Sequence, residues 1–223
     1  FFQASTAELF GSTGSAQKNE TTDFYPKSPY AVSKLYAHWI TVNFRQAQGL
    51  YACNGILFNH ESPLRGEEFV TRKIAAAAAR IKKGLQEKVA VGNLDALRDW
   101  GYAREYVEGM WRILQQEKPD DYILATGEVH PVREFISRAF AAAGLPLEWK
   151  GKGLDEKGVD AAGKVRVEVS KEFYRPADVK ELVGDASKAR RVLGWEAKTK
   201  FGDLAPIMVD AELRRLEGAK VEL

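Results

Sequence analysis

Residues 28–59, SPYAVSKLYAHWITVNFRQAQGLYACNGILFN, join a capped helix to a short apolar strand. Ser28 is a capping residue type, and Pro29 suits a first turn, where a missing backbone N–H costs nothing. Leu35, Trp39 and Val42 recur at helical spacing, and Gly49 supplies the stop, so the pattern predicts a helix over about 29–48. The apolar run YACNGILFN that follows reads as a strand. On the helix, Tyr30 and Lys34 stand four residues apart and share a face, so a phenol and an ammonium can point into one cleft. Such pairs also arise by chance among 8 tyrosines and many lysines. A solvated lysine near a half-buried tyrosine is the ordinary meaning of the spacing, so the flanking sequence has to decide.

Working outward, residues 1–5 read as a strand, and STAELFGSTGSAQKNETTDFYPKS is a long polar loop of the kind that carries function. Beyond the opening stretch, the alanine-rich helix EEFVTRKIAAAAARIKK closes at Gly84, KVAVGN is a strand, REYVEGMWRILQQE a helix and DYILATG a strand. VREFISRAFAAAG is a helix, VRVEVS a strand, and DASKARRVLGW and FGDLAPIMVDAELRRLEG are closing helices. This alternation predicts an α/β fold with a parallel sheet. No internal repeat or low-complexity tract is present, and the run KARR reads as a solvated helix face.

Composition narrows the function. A chain of 223 residues, 45% hydrophobic and 29% charged, is ordinary for a globular protein and fits one domain, or a large lobe with a smaller one. A net charge of +2 makes no field for nucleic acid or an anionic membrane, so an anionic partner must be held by local groups. The single cysteine, Cys53, reads as a buried inert thiol; no disulfide can form within the chain, which suits a reducing, cytoplasmic setting. No apolar run approaches the ~18 residues that a membrane span needs, and no metal-ligand set is read. The first residues, FFQAS, lack an initiator methionine and read as a start in mid-strand, which leaves room for a lost leader. A dinucleotide-binding sheet needs a glycine-rich first turn, and no G-x-G-x-x-G follows any strand; GSTGS at 11–15 sits in a polar loop and opens no helix.

QASTAELFG, YPKSPYAVSKLYAHW, NGILFNHESP, FVTRKI, GNLDALRDWGYAREYVEGMW, ATGEVHPVREF and YRPADV stand in an order that resembles the GDP-mannose 4,6-dehydratases, which are extended short-chain dehydrogenase/reductases. The resemblance covers almost the whole chain. It implies the later part of a Rossmann-type parallel sheet domain interleaved with a smaller nucleotide-sugar lobe. Residues 1–62 and 98–126 would form a partial NADP-binding domain, and 63–97 and 127–223 the substrate lobe. It also implies that about the first third of a full-length protein, with the glycine-rich cofactor turn, is absent.

The residues make chemical sense in that light. Phenols titrate near ~10, and neighbouring cations lower that value. The resemblance assigns proton removal from the sugar 4-hydroxyl to Tyr30, with Lys34 beside it on the nicotinamide ribose of NADP. Thr6 would hydrogen-bond the 4-oxygen, and Glu8 would remove the carbon-5 proton and help to expel the 6-hydroxyl as water. Without the resemblance, STAE is also a helix-capping pattern. Ala7 departs from relatives with serine there and from dTDP-glucose dehydratases with an aspartate acid, which leaves both proton transfers to Glu8. His60 and Arg65 match cofactor-contacting positions, although a lone histidine after a strand is more often structural. Leu64 stands where the family usually has a second arginine, which weakens any phosphate contact made across subunits by that loop. Arg98 and Arg175 match diphosphate ligands, with Asn59, Lys73 and Asp178 as further substrate contacts.

The implied activity is NADP-dependent dehydration of GDP-mannose to GDP-4-keto-6-deoxymannose. A reductase or epimerase of the same superfamily would keep Tyr30 and Lys34 without needing Glu8, and a chain lacking the cofactor turn would be a non-catalytic nucleotide-sugar-binding fragment, inactive alone. The family pairs through helices that include the one bearing Tyr30. The expected assembly is therefore a homodimer, or a homotetramer built from dimers, with that helix apolar on its outer face.

Overall fold

Phe2–Thr6 form strand β1, which runs into one 3₁₀ turn, Ala7–Phe10. The structure, a computed structural model, describes residues 1–11, 17–173 and 182–221. Helix α1, Pro29–Gln48, opens with the Ser28 hydroxyl accepting from the Ala31 amide at 3.1 Å and ends at Gly49, whose φ of 64° is one that few side chains tolerate. In chain order there follow β2 (Cys53–Leu57), α2 (Val70–Lys82), β3 (Val89–Val91), α3 (Ala103–Leu114), β4 (Asp121–Leu124) and α4 (Val132–Ala142). Then come β5 (Glu148–Lys150), β6 (Lys157–Val159), β7 (Val165–Val169), α5 (Ser187–Leu193) and α6 (Phe201–Leu216). The α/β alternation matches the sequence reading.

These elements divide between two compact units. The first comprises the described residues within 1–60, 97–129 and 182–199. Its sheet has the order β1–β2–β4, all parallel, with Thr6 opposite Leu57 and Leu57 opposite Leu124. The carboxyl ends of the three strands therefore share one edge. Side chains alternate across the pleat: Cys53, Leu57, Tyr122 and Leu124 pack with Tyr106, Ile113, Leu193 and Trp195 on one face, while Ile56 and Ile123 pack with Phe10 and Phe58 on the other. Burial on both faces explains why YACNGILFN is almost continuously apolar.

Polar groups fix α1 on this sheet. Arg45, near its end, meets Asp121 at the start of β4 through two hydrogen bonds of 2.8 and 3.0 Å, and Asn54 Nδ2 donates to the same carboxylate at 2.8 Å. Burial works to raise the Asp121 carboxyl, but the hydrogen bonds from Arg45 and Asn54 outweigh it and hold the group below the usual carboxylate range. His38, buried on the same helix, sits 3.8 Å from Asp121 and 3.4 Å from the Ser5 hydroxyl.

The second unit comprises the described residues within 61–96, 130–173 and 200–221. Its sheet has the order β5–β6–β7–β3; the first two pairings are antiparallel and β7–β3 is parallel. Helices α2, α4 and α6 pack together, and Ala75–Ala79 are all buried, small enough to let α2 approach its neighbours closely. Two features depart from expectation. The antiparallel strands β5 (EWK) and β6 (KGV) are short and half charged, so their pattern carried no strand signal. Residues 182–199 cluster with the first unit rather than the second, because α5 buries Ala189 and Leu193 against Tyr122 and Leu124.

Burial holds the His38 imidazole below its ordinary value, with Asp121 opposing the shift and Arg45 adding to it. The unfolded chain therefore binds a proton more readily at this site, so stability present above pH ~6.5 declines as pH falls through the lower folded value. Thermal unfolding followed from pH ~7 downwards should show this loss, and His38→Leu should flatten the slope over the upper part of that range.

Candidate active site

Open parallel sheets place ligands outside the carboxyl ends of their strands. At the end of β1 the Thr6 hydroxyl accepts a hydrogen bond from the Glu8 amide at 3.3 Å, which turns the chain so that Ala7 is buried and Glu8 is exposed. The Tyr25 amide donates to the Leu9 carbonyl at 2.8 Å and brings the returning loop against the 3₁₀ turn. The Ser28 hydroxyl donates to the Glu8 carboxylate at 3.3 Å while accepting from Ala31 as the cap of α1.

Tyr30 lies in the first turn of α1 and is 51% exposed, with no hydrogen bond engaging its hydroxyl among the described residues. One turn on, the Lys34 ammonium donates to the Ala4 carbonyl of β1 at 2.9 Å and stands 5.8 Å from the centre of the Tyr30 ring. Two local elements thus gather four of the sequence-assigned residues: the end of β1 supplies Thr6 and Glu8, and the start of α1 supplies Tyr30 and Lys34. A hydroxyl, a carboxylate, a phenol and an ammonium on one strand edge are the groups that sequential proton transfers require.

The other candidates in the first unit are Asn59, His60 and Arg98. The chain leaving β2 carries Asn59, whose amide donates to the Asp99 carbonyl at 3.4 Å, and His60, whose Nδ1 donates to the Phe58 carbonyl at 2.8 Å. The His60 ring also stacks on Tyr106 at 5.0 Å, a structural engagement of the kind expected for a lone histidine after a strand. Arg98 donates to the carbonyl of Leu97 at 2.8 Å. Within the second unit, Arg65 lies 3.3 Å from Glu61 and covers the Phe69 ring, and the Lys73 ammonium sits 3.6 Å from the centre of the Phe173 ring. Burial pushes Lys73 below the usual lysine value, with Glu172 opposing. Arg175 and Asp178 lie outside the described residues.

Two residues escaped the sequence reading. Ser28 was legible as a cap, but its contact with Glu8 spans 20 positions and has no local signature. Asp99, almost fully buried, accepts from the Thr126 amide at 3.0 Å, the Thr126 hydroxyl at 2.6 Å, the Gly127 amide at 3.0 Å and the Gly184 amide at 3.4 Å. It ties the loop after β4 to residues 183–184 and to the segment bearing Arg98; burial raises its carboxyl against the pull of those donors. A third grouping, Ser5, His38 and Asp121, has the residue types of a nucleophilic triad. Ser5 and His38 are each only 3% exposed and the Asp121 charge is engaged by Arg45, so this set braces the helix instead of meeting a substrate.

Comparison with known proteins adds an independent line. The family model described as GDP-mannose 4,6 dehydratase matches residues 1–208. The chain is 57% identical over 221 residues to a GDP-mannose 4,6-dehydratase of Sinorhizobium fredii, covering 99% of this chain and 63% of the relative. It is 51% identical over 214 residues to the GDP-mannose 4,6 dehydratase of Homo sapiens, covering 96% and 58%. The chain thus spans about three-fifths of the length of these curated relatives. Among solved structures it superposes on RMD from Pseudomonas aeruginosa complexed with NADPH, with a TM-score of 0.80 at 21% identity over 96% of this chain and 67% of that one. It also superposes on a dTDP-glucose 4,6-dehydratase from Bacillus anthracis in complex with NAD, with a TM-score of 0.77 at 20% identity over 97% and 62%. At those identities the likeness establishes the fold alone.

Removing the Asp99 carboxylate should loosen the strand edge. Asp99→Ala leaves the Thr126, Gly127 and Gly184 amides without this acceptor and should cost roughly 3 kcal/mol in chemical denaturation. Asp99→Asn, which keeps one acceptor oxygen, should cost less.

Proposed function

This chain belongs to the family of GDP-mannose 4,6-dehydratases, and from that membership we propose that the whole protein removes water from GDP-mannose to give the 4-keto-6-deoxy sugar nucleotide. The observation that carries the reading is the joint presence of Glu8 and the Tyr30–Lys34 pair around the end of β1, linked through Ser28. A reductase or epimerase needs the pair but has no use for Glu8.

The residues fit a nicotinamide cofactor. Tyr30 is half-exposed, and Lys34 spends one of its three donors on Ala4, which leaves two for ribose hydroxyls. NADP, when bound, supplies reversible hydride acceptance. In the chemistry proposed, Tyr30 takes the 4-hydroxyl proton as carbon 4 is oxidised. The Thr6 hydroxyl, whose oxygen already accepts from the Glu8 amide, points its proton at the 4-oxygen. The new carbonyl acidifies the carbon-5 proton, which Glu8 removes and passes to the departing 6-hydroxyl, so that water leaves. Carbon 6 is then reduced, and carbon 5 takes up a proton that balances the one Tyr30 removed from the 4-hydroxyl; the sugar loses one H₂O, with no net redox change.

His60 and Arg65 are assigned to the cofactor, and Asn59, Lys73, Arg98, Arg175 and Asp178 to GDP-mannose, on the family pattern. Arginine suits the diphosphate because its planar fork matches phosphate oxygens. A cytoplasmic setting belongs to the same proposal and rests on the single buried Cys53. Among the described residues no helix is long and apolar enough to cross a membrane.

The association proposed is a homodimer, or a tetramer of dimers. Val32, Tyr36, Trp39 and Ile40 recur on the face of α1 turned away from buried Ala31, His38 and Val42, and all four are exposed. On α3 of the same unit, Val107 and Trp111 are exposed four residues apart. An apolar patch of this kind favours self-association.

Two measurements test these assignments in the whole protein. Glu8→Gln should lower loss of water from GDP-mannose, followed by mass spectrometry, by roughly 10²-fold or more while GDP-mannose affinity stays nearly intact; unimpaired dehydration would remove Glu8 from the mechanism. Placing glutamate at both Tyr36 and Trp39 should convert the assembly to monomers in sedimentation, and a monomer before substitution would refute the association.

A further inference from the structure

Beyond the family assignments, we infer that Ser28 is a positioning residue for Glu8, holding the carboxylate toward the site while fixing the start of the helix that carries Tyr30 and Lys34. The inference rests on the reaction proposed above for its consequence, and on geometry alone for the contact.

The hydroxyl of Ser28 has one proton and two lone pairs. The structure uses both capacities: the oxygen accepts from the Ala31 amide at 3.1 Å, and the proton goes to Glu8 Oε2 at 3.3 Å. The second distance is long for a hydroxyl-to-carboxylate bond. Glu8 is held at its other end as well, because its amide donates to the Thr6 hydroxyl. An otherwise exposed carboxylate is thereby fixed at backbone and side chain by two hydroxyls, one from each element of the site. The tether also couples the two stages of the chemistry in space. Tyr30, assigned to the first proton transfer, is two residues beyond Ser28, and Glu8, assigned to the second, is on its other side.

Three substitutions separate the cap from the tether. Ser28→Asp keeps a side-chain acceptor for Ala31 but has no proton to donate and sets a like charge beside Glu8. Ser28→Ala removes both functions, and Ser28→Thr restores both. In the chain itself, labelled with carbon isotope in its glutamates and with the Glu8 carboxyl resonance assigned by Glu8→Gln, that resonance should move in the Asp and Ala variants and return in Thr. Heat stability should fall in Ala alone. In the whole protein supplied with NADP and GDP-mannose, Ser28→Asp should lower kcat for dehydration about tenfold or more with KM little changed, and Thr should recover it. An unmoved Glu8 resonance in both Asp and Ala, or full turnover in Ser28→Asp where Glu8→Gln is inactive, would reduce Ser28 to a cap and overturn the inference. If Glu8→Gln itself turns over normally, the proposed reaction fails, and the resonance then decides the tether on its own.

Discussion

The meeting of Arg45 with Asp121 is the contact on which the first unit turns. Asp121 begins the last strand of the parallel sheet and is largely removed from water, so its charge must be neutralised where it stands. Arg45 does this with both arms of its fork from the last turn of α1, and Asn54 adds a third donor from the middle strand. One carboxylate therefore joins a helix to two strands. The geometry leaves little freedom for α1 to slide or rotate, because a shift of one residue would swing the guanidinium off the carboxylate and leave a buried charge unpaired.

That anchoring is felt at the opposite end of the helix. Lys34 reaches back to Ala4, and Ser28 reaches Glu8, so the first turns of α1 are pinned to β1 as the last turn is pinned to β4. Ser5 and His38 fill the middle of the same helix-to-sheet contact with buried polar groups. The reactive groups proposed for the site come from a strand end and a helix start held in mutual register by interactions along the whole helix. Precision of this kind is what proton transfer between fixed groups demands, and it explains why a surface-exposed Tyr30 need not be a loosely placed one.

Much of this was legible in the sequence where the signals were local. The cap at Ser28, the proline after it and the stop at Gly49 place α1 at its observed bounds, the apolar run 51–59 contains the shorter β2, and the four-residue spacing put Tyr30 and Lys34 on one side. The mixed sheet of the second unit was not legible, because EWK and KGV are too short and too charged for periodicity to register; their strand character comes from pairing with Val165–Val169. The allegiance of 182–199 to the first unit was hidden for a similar reason, since only the packing of Ala189 and Leu193 against distant strands decides it. Asp99 and the second bond of Ser28 depend on partners scores of residues away or across a loop, and no spacing rule reaches them. Family resemblance assigned roles to particular side chains; it was silent about what holds them.

The way the two units share the chain has a consequence for biosynthesis. Each unit takes three stretches, and they alternate, so the polypeptide passes from one to the other five times. Neither unit is one continuous segment of the chain: the first draws in α5, within 182–199, and the second draws in α6. Until α5 emerges, Tyr122 and Leu124 lack part of their cover, and the nascent chain carries that apolar surface open. Within these 223 residues no single cut frees either unit as a continuous segment that could be borrowed, duplicated or traded by itself.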